Sequence, residues 1–227
     1  MNNIHQIIEE LKALSSADHY EKLSHFGIEN KNALGVKVPD IRKLAKKIGK
    51  NHALAMEIWN TCDVHEALLL APMIADADQL TEEDFDHIVY KFNSWDICDG
   101  TSSFLMYTLF AEKKIHQYAD NEHVFIKRTA FVLMCAFAVH NKRKTDDFFY
   151  PLLDLIEKNA WDERNFVRKA VNWALRQIGK RNEHLRIKVI ETTERILAQN
   201  TKSARWIAGD ALRELRDEKV VSRVRKK

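Results

Sequence analysis

Glycine and proline are scarce in this chain, with 6 and 3 copies in 227 residues. All-β proteins need these residues at their many tight turns, so the composition argues against that class. Helix-forming Ala, Leu, Lys, Glu and Arg dominate instead, and they predict an all-α protein. The length suffices for one large domain, and we expect residues 1–227 to form a single domain.

Cysteine is also rare, and its three copies, Cys62, Cys98 and Cys135, lack the spacings of metal ligands. Each is embedded in an apolar run, so we expect buried, reduced thiols in a cytoplasmic protein. The ten histidines are scattered. There is no phosphate-binding glycine-rich loop, nucleophile elbow or HExxH motif. We therefore expect no metal and no other cofactor, and the absence of an apparent signal peptide or spanning segment predicts no membrane partner.

Charge is unevenly distributed although the net charge is only +3. Residues 1–114 hold 12 Lys and Arg against 18 Asp and Glu, a net charge of −6, whereas residues 115–227 hold 24 against 15, a net charge of +9. Such asymmetry is typical of a basic surface that meets an anion, most commonly nucleic acid. Solvated basic helix faces without a partner would give the same counts, and charge alone does not separate the two.

A weak internal repeat runs through the second half. FIKRTAFVLM begins at Phe125 and FVRKAVNWAL at Phe166, an offset of 41, and VRKAVNWALRQI from Val167 aligns with ARWIAGDALREL from Ala204 at an offset of 37. Periods near 40 residues are typical of HEAT-like repeats, in which helical pairs stack into a curved solenoid. We therefore predict a monomeric, all-α, HEAT-like helical-repeat solenoid with a concave basic groove that would suit a nucleic-acid duplex.

The segment NSWDICDG places an aromatic ring and two carboxylates within five positions. Trp95 and Asp99 lie four residues apart and hence share a helix face. Asn93 is a candidate N-cap, and Asp96 would meet the free amides of the first turn, which leaves Asp99 without a capping role. A capped helix with a hydrogen-bonded indole would explain the pattern. A pocket for a flat, positively charged guest would explain it equally.

The predicted helix over residues 122–139 is apolar nearly all round, yet its apolar stripe contains Arg128. A buried guanidinium requires an anionic partner, because a buried unpaired charge is costly. That partner is either Asp99 or Asp96, in a structural ion pair, or a phosphate at the floor of a cleft. The pattern leaves these alternatives open.

The predicted helix over residues 165–179 has Trp173 at the edge of its apolar stripe. Between Arg164 and Lys188 there are eight basic residues and one acidic residue. Basic side chains beside an aromatic ring predict a nucleic-acid surface. A core tryptophan with basic side chains extending past it is the alternative. The candidate phosphate contacts are Arg164, Arg168, Lys169 and Arg176.

Five segments resemble, in this order along the chain, the AlkD-like DNA alkylation repair family of HEAT-like repeat proteins. They are LGVKVPDIRKLAKKIG, SWDICD, EHVFIKRTAFVLM, NFVRKAVNWALRQIGKR and SARWIAGDALREL. Glycosylases of this family remove N3- and N7-alkylated purines from duplex DNA without flipping the base. The resemblance implies that Asp99 is the catalytic carboxylate, that Trp95 and Trp173 are aromatic walls, and that Arg128 contacts the DNA backbone.

The resemblance also implies that residues 35–42 approach the DNA, with Lys37 nearest the modified base. The chain departs from the active members at two places. Ala136 stands where they have Lys, and the segment HFGIENKNALGVKVP differs from theirs, in which a helix just before the Leu-Gly turn grips the duplex. Related subfamilies without that helix bind DNA but do not excise bases.

Double-stranded DNA, alkylated or branched, is thus the expected partner. The first expected function is an alkylpurine DNA glycosylase, an enzyme that hydrolyses an N-glycosidic bond. The alternative is a non-catalytic HEAT-like protein that binds duplex or branched DNA. A protein-interaction scaffold would explain the solenoid but would leave the clustered Trp, Asp and Arg unexplained.

Overall fold

The computed structural model describes residues 3–29 and 31–224, which form fourteen α-helices, two 3-10 helices and no strand. The prediction of an all-α protein is confirmed. The chain divides into two compact units, Met1–Thr108 and Leu109–Lys227. The single domain and the concave basic groove stay predictions.

The first unit contains seven α-helices. They are α1 (Ile4–Ala13), α2 (Ala17–Leu23), α3 (Val38–Ile48), α4 (His52–Thr61), α5 (His65–Ile74), α6 (Glu82–Tyr90) and α7 (Trp95–Leu105). The 3-10 helices lie at Ser24–Phe26 and Ala77–Gln79. Helix α5 packs against α1, α3, α4 and α7. Its sequence HEALLLAPMI is buried at nine of ten positions, because a helix surrounded by others needs apolar side chains on every face.

The second unit contains the other seven α-helices. They are α8 (Ala111–Tyr118), α9 (Val124–His140), α10 (Asp146–Asn159), α11 (Asn165–Gly179), α12 (Glu183–Ala198), α13 (Lys202–Leu215) and α14 (Glu218–Val224). These helices pack in three pairs, α8 with α9, α10 with α11 and α12 with α13. Helix α11 also packs against both α9 and α13. The starts of α9, α11 and α13 are 41 and 37 residues apart, which equals the two offsets of the sequence repeat. The repeat therefore corresponds to stacked helical pairs.

The sequence predicts a cap at Thr81, followed by Asp84, and a first helical position at Pro39, and the structure has helix starts close to both. Thr81 and Asp84 form a capping box at the start of α6, where each side chain accepts a hydrogen bond from the other residue's backbone N–H. Pro39 lies in the first turn of α3, one position later than expected, because the helix begins at Val38. Proline is tolerated there because the first-turn amides have no partner within the helix.

The sequence offers Ser203 as the N-cap of the helix that contains Trp206, and this prediction is wrong. Thr201 is the N-cap, and its side chain accepts a hydrogen bond from the backbone N–H of Ala204 at 3.1 Å. Ser203 is buried inside the first turn, where its Oγ donates to the carbonyl oxygen of Asp162 at 2.8 Å. The hydroxyl thus joins α13 to the segment before α11.

Each of the three cysteines is a thiol that forms no disulfide bond. Cys98 and Cys135 are buried, as predicted, whereas Cys62 is only partly buried because it follows the last turn of α4. Burial still raises the pKa of the Cys62 thiol above its ordinary value. A thiol with a raised pKa is a weaker nucleophile at neutral pH, so Cys62 is unsuited to nucleophilic chemistry.

Gly35, before α3, has a φ of 78°, a conformation that L side chains rarely adopt. A Cβ atom at this position would lie 2.6 Å from the carbonyl oxygen of Ser16 and 2.8 Å from the Cβ of Tyr20. The segment before α3 can therefore pass this close to α2 only with glycine at position 35.

Gly35→Ala should lower the free energy of unfolding by about 1–3 kcal/mol, because it adds both backbone strain and a steric clash. Gly209→Ala is the matched control, since Gly209 lies exposed in α13 and an added Cβ would meet nothing within 4 Å. That substitution should raise the free energy of unfolding by roughly 0.5–1 kcal/mol through helix propensity. Chemical denaturation measures both changes. If the two substitutions changed the free energy of unfolding in the same direction, the conclusion that position 35 requires glycine would be contradicted.

Candidate functional site

A cavity of about 850 Å³ in the first unit is lined by residues of α3, α5 and α7. Its volume is within the range of clefts that bind small molecules or single bases. Three aromatic rings and four carboxylates contribute to the lining, namely Trp95, Phe104, Tyr107, Asp76, Asp78, Asp96 and Asp99. Arg42 and Lys50 contribute cations. Rings and negative charges together favour a planar cation as guest.

Trp95 and Asp99 both line this cavity, as their spacing on one helix face led us to expect. Trp95 is half-buried, and its Nε1 donates a hydrogen bond to the carbonyl oxygen of Phe26 at 2.9 Å, which fixes the indole ring. Asp99 is half-buried one turn later, and its backbone oxygen accepts a hydrogen bond from the Oγ of Ser103 at 2.8 Å. The indole is thus hydrogen-bonded, and it also faces a pocket.

The carboxylate of Asp96 links α7 to α5. The N-cap of α7 is Ser94 and not Asn93, and the Oγ of Ser94 donates to Asp96 at 2.6 Å. The buried His65 places its Nε2 at 2.8 Å from the other Asp96 oxygen. Burial acts to raise the pKa of Asp96, but the hydrogen bonds from His65 and Ser94 and the charge on His65 hold this pKa below its ordinary value. No local sequence pattern points to His65, because its partner is 31 residues away.

Glu66, next to His65, links α5 to the segment before α3. Its carboxylate, on a residue only 1 % exposed, accepts hydrogen bonds from the backbone N–H groups of residues 34–36 at 2.8, 2.8 and 3.1 Å. Charged hydrogen bonds of this kind are roughly twice as strong as neutral ones. They fix the backbone that leads to Lys37, which lies exposed at the N-cap of α3 beside the cavity-lining Val38. Sequence reasoning missed Glu66.

Arg128 connects α9 to α11 in the second unit. It is only 5 % exposed, and its Nη1 donates to the backbone oxygen of Phe166 at 2.5 Å. The rings of Phe125 and Phe166 lie 5.5 Å apart beside it. Asp96 is one of the two carboxylates that the sequence offers as a partner for Arg128, but its oxygens bind His65 and Ser94 in the first unit. The phosphate contact of Arg128 stays a prediction.

Arg164 belongs to a partly buried ionic cluster. Its Nη2 lies 2.6 Å from Asp162, a residue 1 % exposed, and the buried Lys127 lies 3.1 Å from the same carboxylate. Burial acts to raise the pKa of Asp162, but the hydrogen bonds from Arg164 and Lys127 hold it below its ordinary value. The Nζ of Lys127 also lies 5.3 Å from the ring centre of the exposed Trp161. Arg164 therefore has a structural partner, and its phosphate contact stays a prediction.

Arg168 and Lys169 differ in their surroundings although they are neighbours on α11. The guanidinium carbon of Arg168 lies 4.6 Å from the ring centre of Trp206 on α13, an indole that is 39 % exposed. Lys169 is exposed, and no carboxylate in the part of the chain that the structure describes forms an ion pair with it. Lys169 is thus available to an anion, and Trp206 adds an exposed aromatic face beside Arg168.

Arg176 serves the interface between α11 and α13. Its Nη1 lies 2.7 Å from Glu214 and its Nε 3.4 Å from Asp210. Trp173 is half-buried on the same helix and donates its Nε1–H to the side-chain oxygen of Gln177 at 3.0 Å. A phosphate would have to share Arg176 with these carboxylates. This part of α11 agrees better with basic side chains extending past a partly buried tryptophan.

Within residues 3–29 and 31–224, no group of three or more His, Cys, Asp or Glu side chains is arranged to hold a metal ion. In the same residues, none of the helices has the length and apolar character needed to cross a membrane.

Comparison with protein families identifies the chain. The sequence profile described as DNA alkylation repair enzyme matches residues 7–215. The chain belongs to this family. The match spans both units and includes every candidate site residue, so the resemblance inferred from the five segments is confirmed. No curated protein matches the chain.

A solved structure has the same fold. Its protein belongs to a group described as a new family of proteins related to the HEAT-like repeat DNA glycosylases, with affinity for branched DNA structures. The TM-score is 0.78 at 18 % sequence identity, over 100 % of this chain and 99 % of the other. This similarity confirms the prediction that the present chain has a HEAT-like helical-repeat fold.

The hydrogen bond between Asp96 and His65 predicts that the stability of the protein depends on pH. Because the pKa of Asp96 is lower in the folded protein than its ordinary 3.8, the ionised carboxylate stabilises the fold above that pH. The contribution is lost as the pH falls through the lowered pKa. Wild-type protein should therefore be more stable than Asp96→Asn near neutral pH, by about 1–3 kcal/mol, and the difference should shrink below pH 3.8.

Chemical denaturation at both pH values measures this difference. Asp78→Asn is a suitable control, since Asp78 lines the same cavity but is exposed, and it should change the free energy of unfolding by less than about 0.5 kcal/mol. A difference between wild type and Asp96→Asn that stays constant with pH would refute the role assigned to the carboxylate.

Proposed function

We propose that the protein is an alkylpurine DNA glycosylase that removes N3- or N7-alkylated purines from duplex DNA without flipping the base. The observation that carries the proposal is the cavity in the first unit, in which Trp95 and Asp99 project from one face of α7. Membership of the DNA alkylation repair family supplies the class of substrate.

The chemistry of the substrate agrees with this cavity. Alkylation at N3 or N7 makes the purine positively charged, so the base can leave without prior protonation. The electron pair of the glycosidic bond goes to the purine, which departs neutral, while positive charge develops on the sugar. A carboxylate stabilises that charge and accepts a proton from the attacking water, whose oxygen bonds to the sugar carbon.

Asp99 would be this carboxylate in our proposal, and Trp95 would hold the cationic base. Contact between an indole and a cation contributes ~0.5–2 kcal/mol. Asp96 has a structural role, because its oxygens bind His65 and Ser94. A neutral purine would lack the charge that the cavity attracts, which would favour the alkylated base.

The second unit would supply most of the contacts to the DNA backbone. It holds 26 Lys and Arg against 16 Asp and Glu, a net charge of +10. We propose that Lys169 and Arg168 on α11 contact phosphates, with the exposed ring of Trp206 beside them. Arg128 and Lys37 would add further contacts to the DNA.

Asp99→Asn tests the catalytic role, because it retains the shape of the side chain and removes its charge. Release of 7-methylguanine from duplex DNA should slow by about 10²–10³, since loss of a preorganised electrostatic contact costs ~2.7–4 kcal/mol. Affinity for the duplex should change little, because a carboxylate does not attract polyanionic DNA.

Two further variants make the measurement specific. Asp78→Asn removes a carboxylate from another part of the cavity lining and should slow release less than Asp99→Asn does. Trp95→Ala should reduce both the rate and the preference for the cationic base. A wild-type protein that releases 7-methylguanine no faster than buffer would rule out the glycosylase.

Lys169 and Arg176 should respond differently to substitution by alanine. Lys169→Ala should weaken duplex binding and reduce the slope of log affinity against log salt by about 0.9, because one phosphate contact is lost. The stability of this variant should not change. Arg176→Ala should mainly lower the free energy of unfolding, by about 1.5–3 kcal/mol, because Glu214 loses a charged hydrogen bond and Asp210 loses an ion pair.

Binding measured at several salt concentrations, with denaturation of the same samples, checks both expectations. If the slope of log affinity against log salt fell equally in the two variants, Arg176 would have to leave its ion pairs in order to bind DNA.

A second candidate function is binding of branched DNA without excision. The affinity for branched DNA named for the protein of the same fold favours it. In addition, position 136, where active relatives have lysine, holds a buried alanine in α9. Tight binding of a junction together with no release of 7-methylguanine would establish this function instead.

A further inference from the structure

A small cavity in the second unit is lined by the last turns of α9 and α11, by the residues that follow them, and by α14. Its volume is about 190 Å³. Four basic residues contribute to the lining, namely Lys142, Lys180, Arg181 and Arg223, and no Asp or Glu of the described residues does. Cations from three parts of the unit therefore meet at one small space.

Lys142 and Arg181 are hydrogen-bonded to backbone oxygens. The Nζ of Lys142 donates to the carbonyl oxygen of Val139 at 2.6 Å, and the guanidinium of Arg181 donates to those of Ala138 at 3.1 Å and Lys144 at 2.5 Å. Cations are favourable at the carboxyl end of a helix, so the end of α9 explains why both side chains lie here. Within residues 3–29 and 31–224, no carboxylate forms an ion pair with either of them. Carbonyl groups carry only partial charges, so two full positive charges remain at the cavity.

The charge of Arg181 is partly buried, and its guanidinium carbon lies 4.8 Å from the ring centre of Phe149. Burial lowers the pKa of Arg181 below its ordinary value, although the charge of Asp146 acts in the opposite direction. Arg186 in the same unit shows the contrary case, because its hydrogen bonds to Glu183 raise its pKa. A guanidinium whose burial is not offset by a bound carboxylate is favoured by an anion from outside the chain.

The other two cations, Arg223 and Lys180, differ in their partners. Arg223 is exposed on α14, and in the part of the chain that the structure describes no carboxylate forms an ion pair with it. Lys180 lies 2.7 Å from Glu214, a carboxylate that also lies 2.7 Å from Arg176. Like charges that meet at one place repel each other, and an anion between them removes that repulsion.

The size of the cavity restricts the anion that it can hold. Clefts that bind cofactors and drug-sized ligands have volumes of roughly 300–1,000 Å³, and this cavity is smaller. It is therefore too small for a nucleotide with its base and sugar, but it has room for a single oxyanion. Val220 and the buried Val224 of α14 form its apolar side. A tetrahedral oxyanion suits the other side, because its oxygens accept charged hydrogen bonds from several directions.

We propose that this cavity binds a small free oxyanion of the phosphate class, which Lys142, Arg181 and Arg223 hold. The inference goes beyond the proposed function and does not depend on it, because the ligand is a free ion and not DNA. The bound ion would connect the ends of α9 and α11 to α14. It would thereby stabilise the fold, since a ligand that binds only the folded state raises the free energy of unfolding.

The test compares two double variants that each lose one lysine and one arginine. Lys142→Ala/Arg223→Ala removes two cations from the cavity, whereas Arg143→Ala/Lys219→Ala removes exposed cations of the same two segments that do not line it. Arg181 is retained, because its hydrogen bonds to carbonyl oxygens contribute to folding. Titration calorimetry with inorganic phosphate measures the affinity of each protein. Chemical denaturation, with phosphate replacing chloride at constant ionic strength, measures the stabilisation.

Phosphate should bind the wild-type protein and the control variant equally, and their free energies of unfolding should rise with the phosphate concentration. The cavity variant should bind phosphate about tenfold more weakly or less, because charged hydrogen bonds are lost. Absence of phosphate binding to the wild-type protein would overturn the inference. Equal stabilisation of all three proteins would also overturn it, because phosphate stabilises proteins in general by its exclusion from their surfaces.

Duplex binding by the same variants separates a free oxyanion from a phosphate of the DNA backbone. If the cavity holds a free ion, the two double variants should have the same slope of log affinity against log salt. A lower slope in the cavity variant than in the control would assign the cavity to a DNA phosphate, and would overturn the inference.

Discussion

A buried carboxylate that accepts three backbone hydrogen bonds determines how the first unit is arranged around its cavity. Glu66 holds residues 34–36 and thereby fixes where α3 begins. Its neighbour His65 holds Asp96 and thereby fixes the first turn of α7. One turn of α5 thus orients both of the helices that flank it. The cavity depends on this turn more than on apolar packing, because apolar contacts do not specify how a helix is rotated as sharply as directed hydrogen bonds do.

The second unit shows that basic composition overstates the charge available to DNA. Lys127 and Arg164 share the buried carboxylate of Asp162, and Arg176 is bound by Glu214 and Asp210. The pairs Lys127–Asp162 and Arg176–Glu214 join neighbouring repeats, because each connects one helix to the next helix or to the loop before it. They stabilise the stack at the expense of the surface charge. Exposed cations without an ion pair, such as Lys169, are therefore better candidates for phosphate contacts than the basic residues of this unit taken together.

Sequence reasoning succeeded where the signal is periodic and local. The offsets of 41 and 37 predicted the spacing of α9, α11 and α13, and the face shared by Trp95 and Asp99 follows from helical spacing alone. It failed where a side chain is bound by a residue distant in sequence. The partners of Glu66 and His65 are about thirty residues away, and the hydroxyl of Ser203 was read as a local cap when it bonds across to the segment before α11. Apolar periodicity identifies a helix, whereas partners of buried polar groups depend on the tertiary fold.

The charges around the cavity can be compared with those of the proposed substrate. An alkylated purine nucleotide is positive at its base and negative at its phosphate. The first unit presents carboxylates and aromatic rings in one cavity and the cations of α3 in the cavity that adjoins it. An unmodified nucleotide would keep the attraction to the cations and lose the attraction to the carboxylates. Selectivity for alkylated bases would then come from the carboxylates and rings, because an unmodified base lacks the positive charge that they attract.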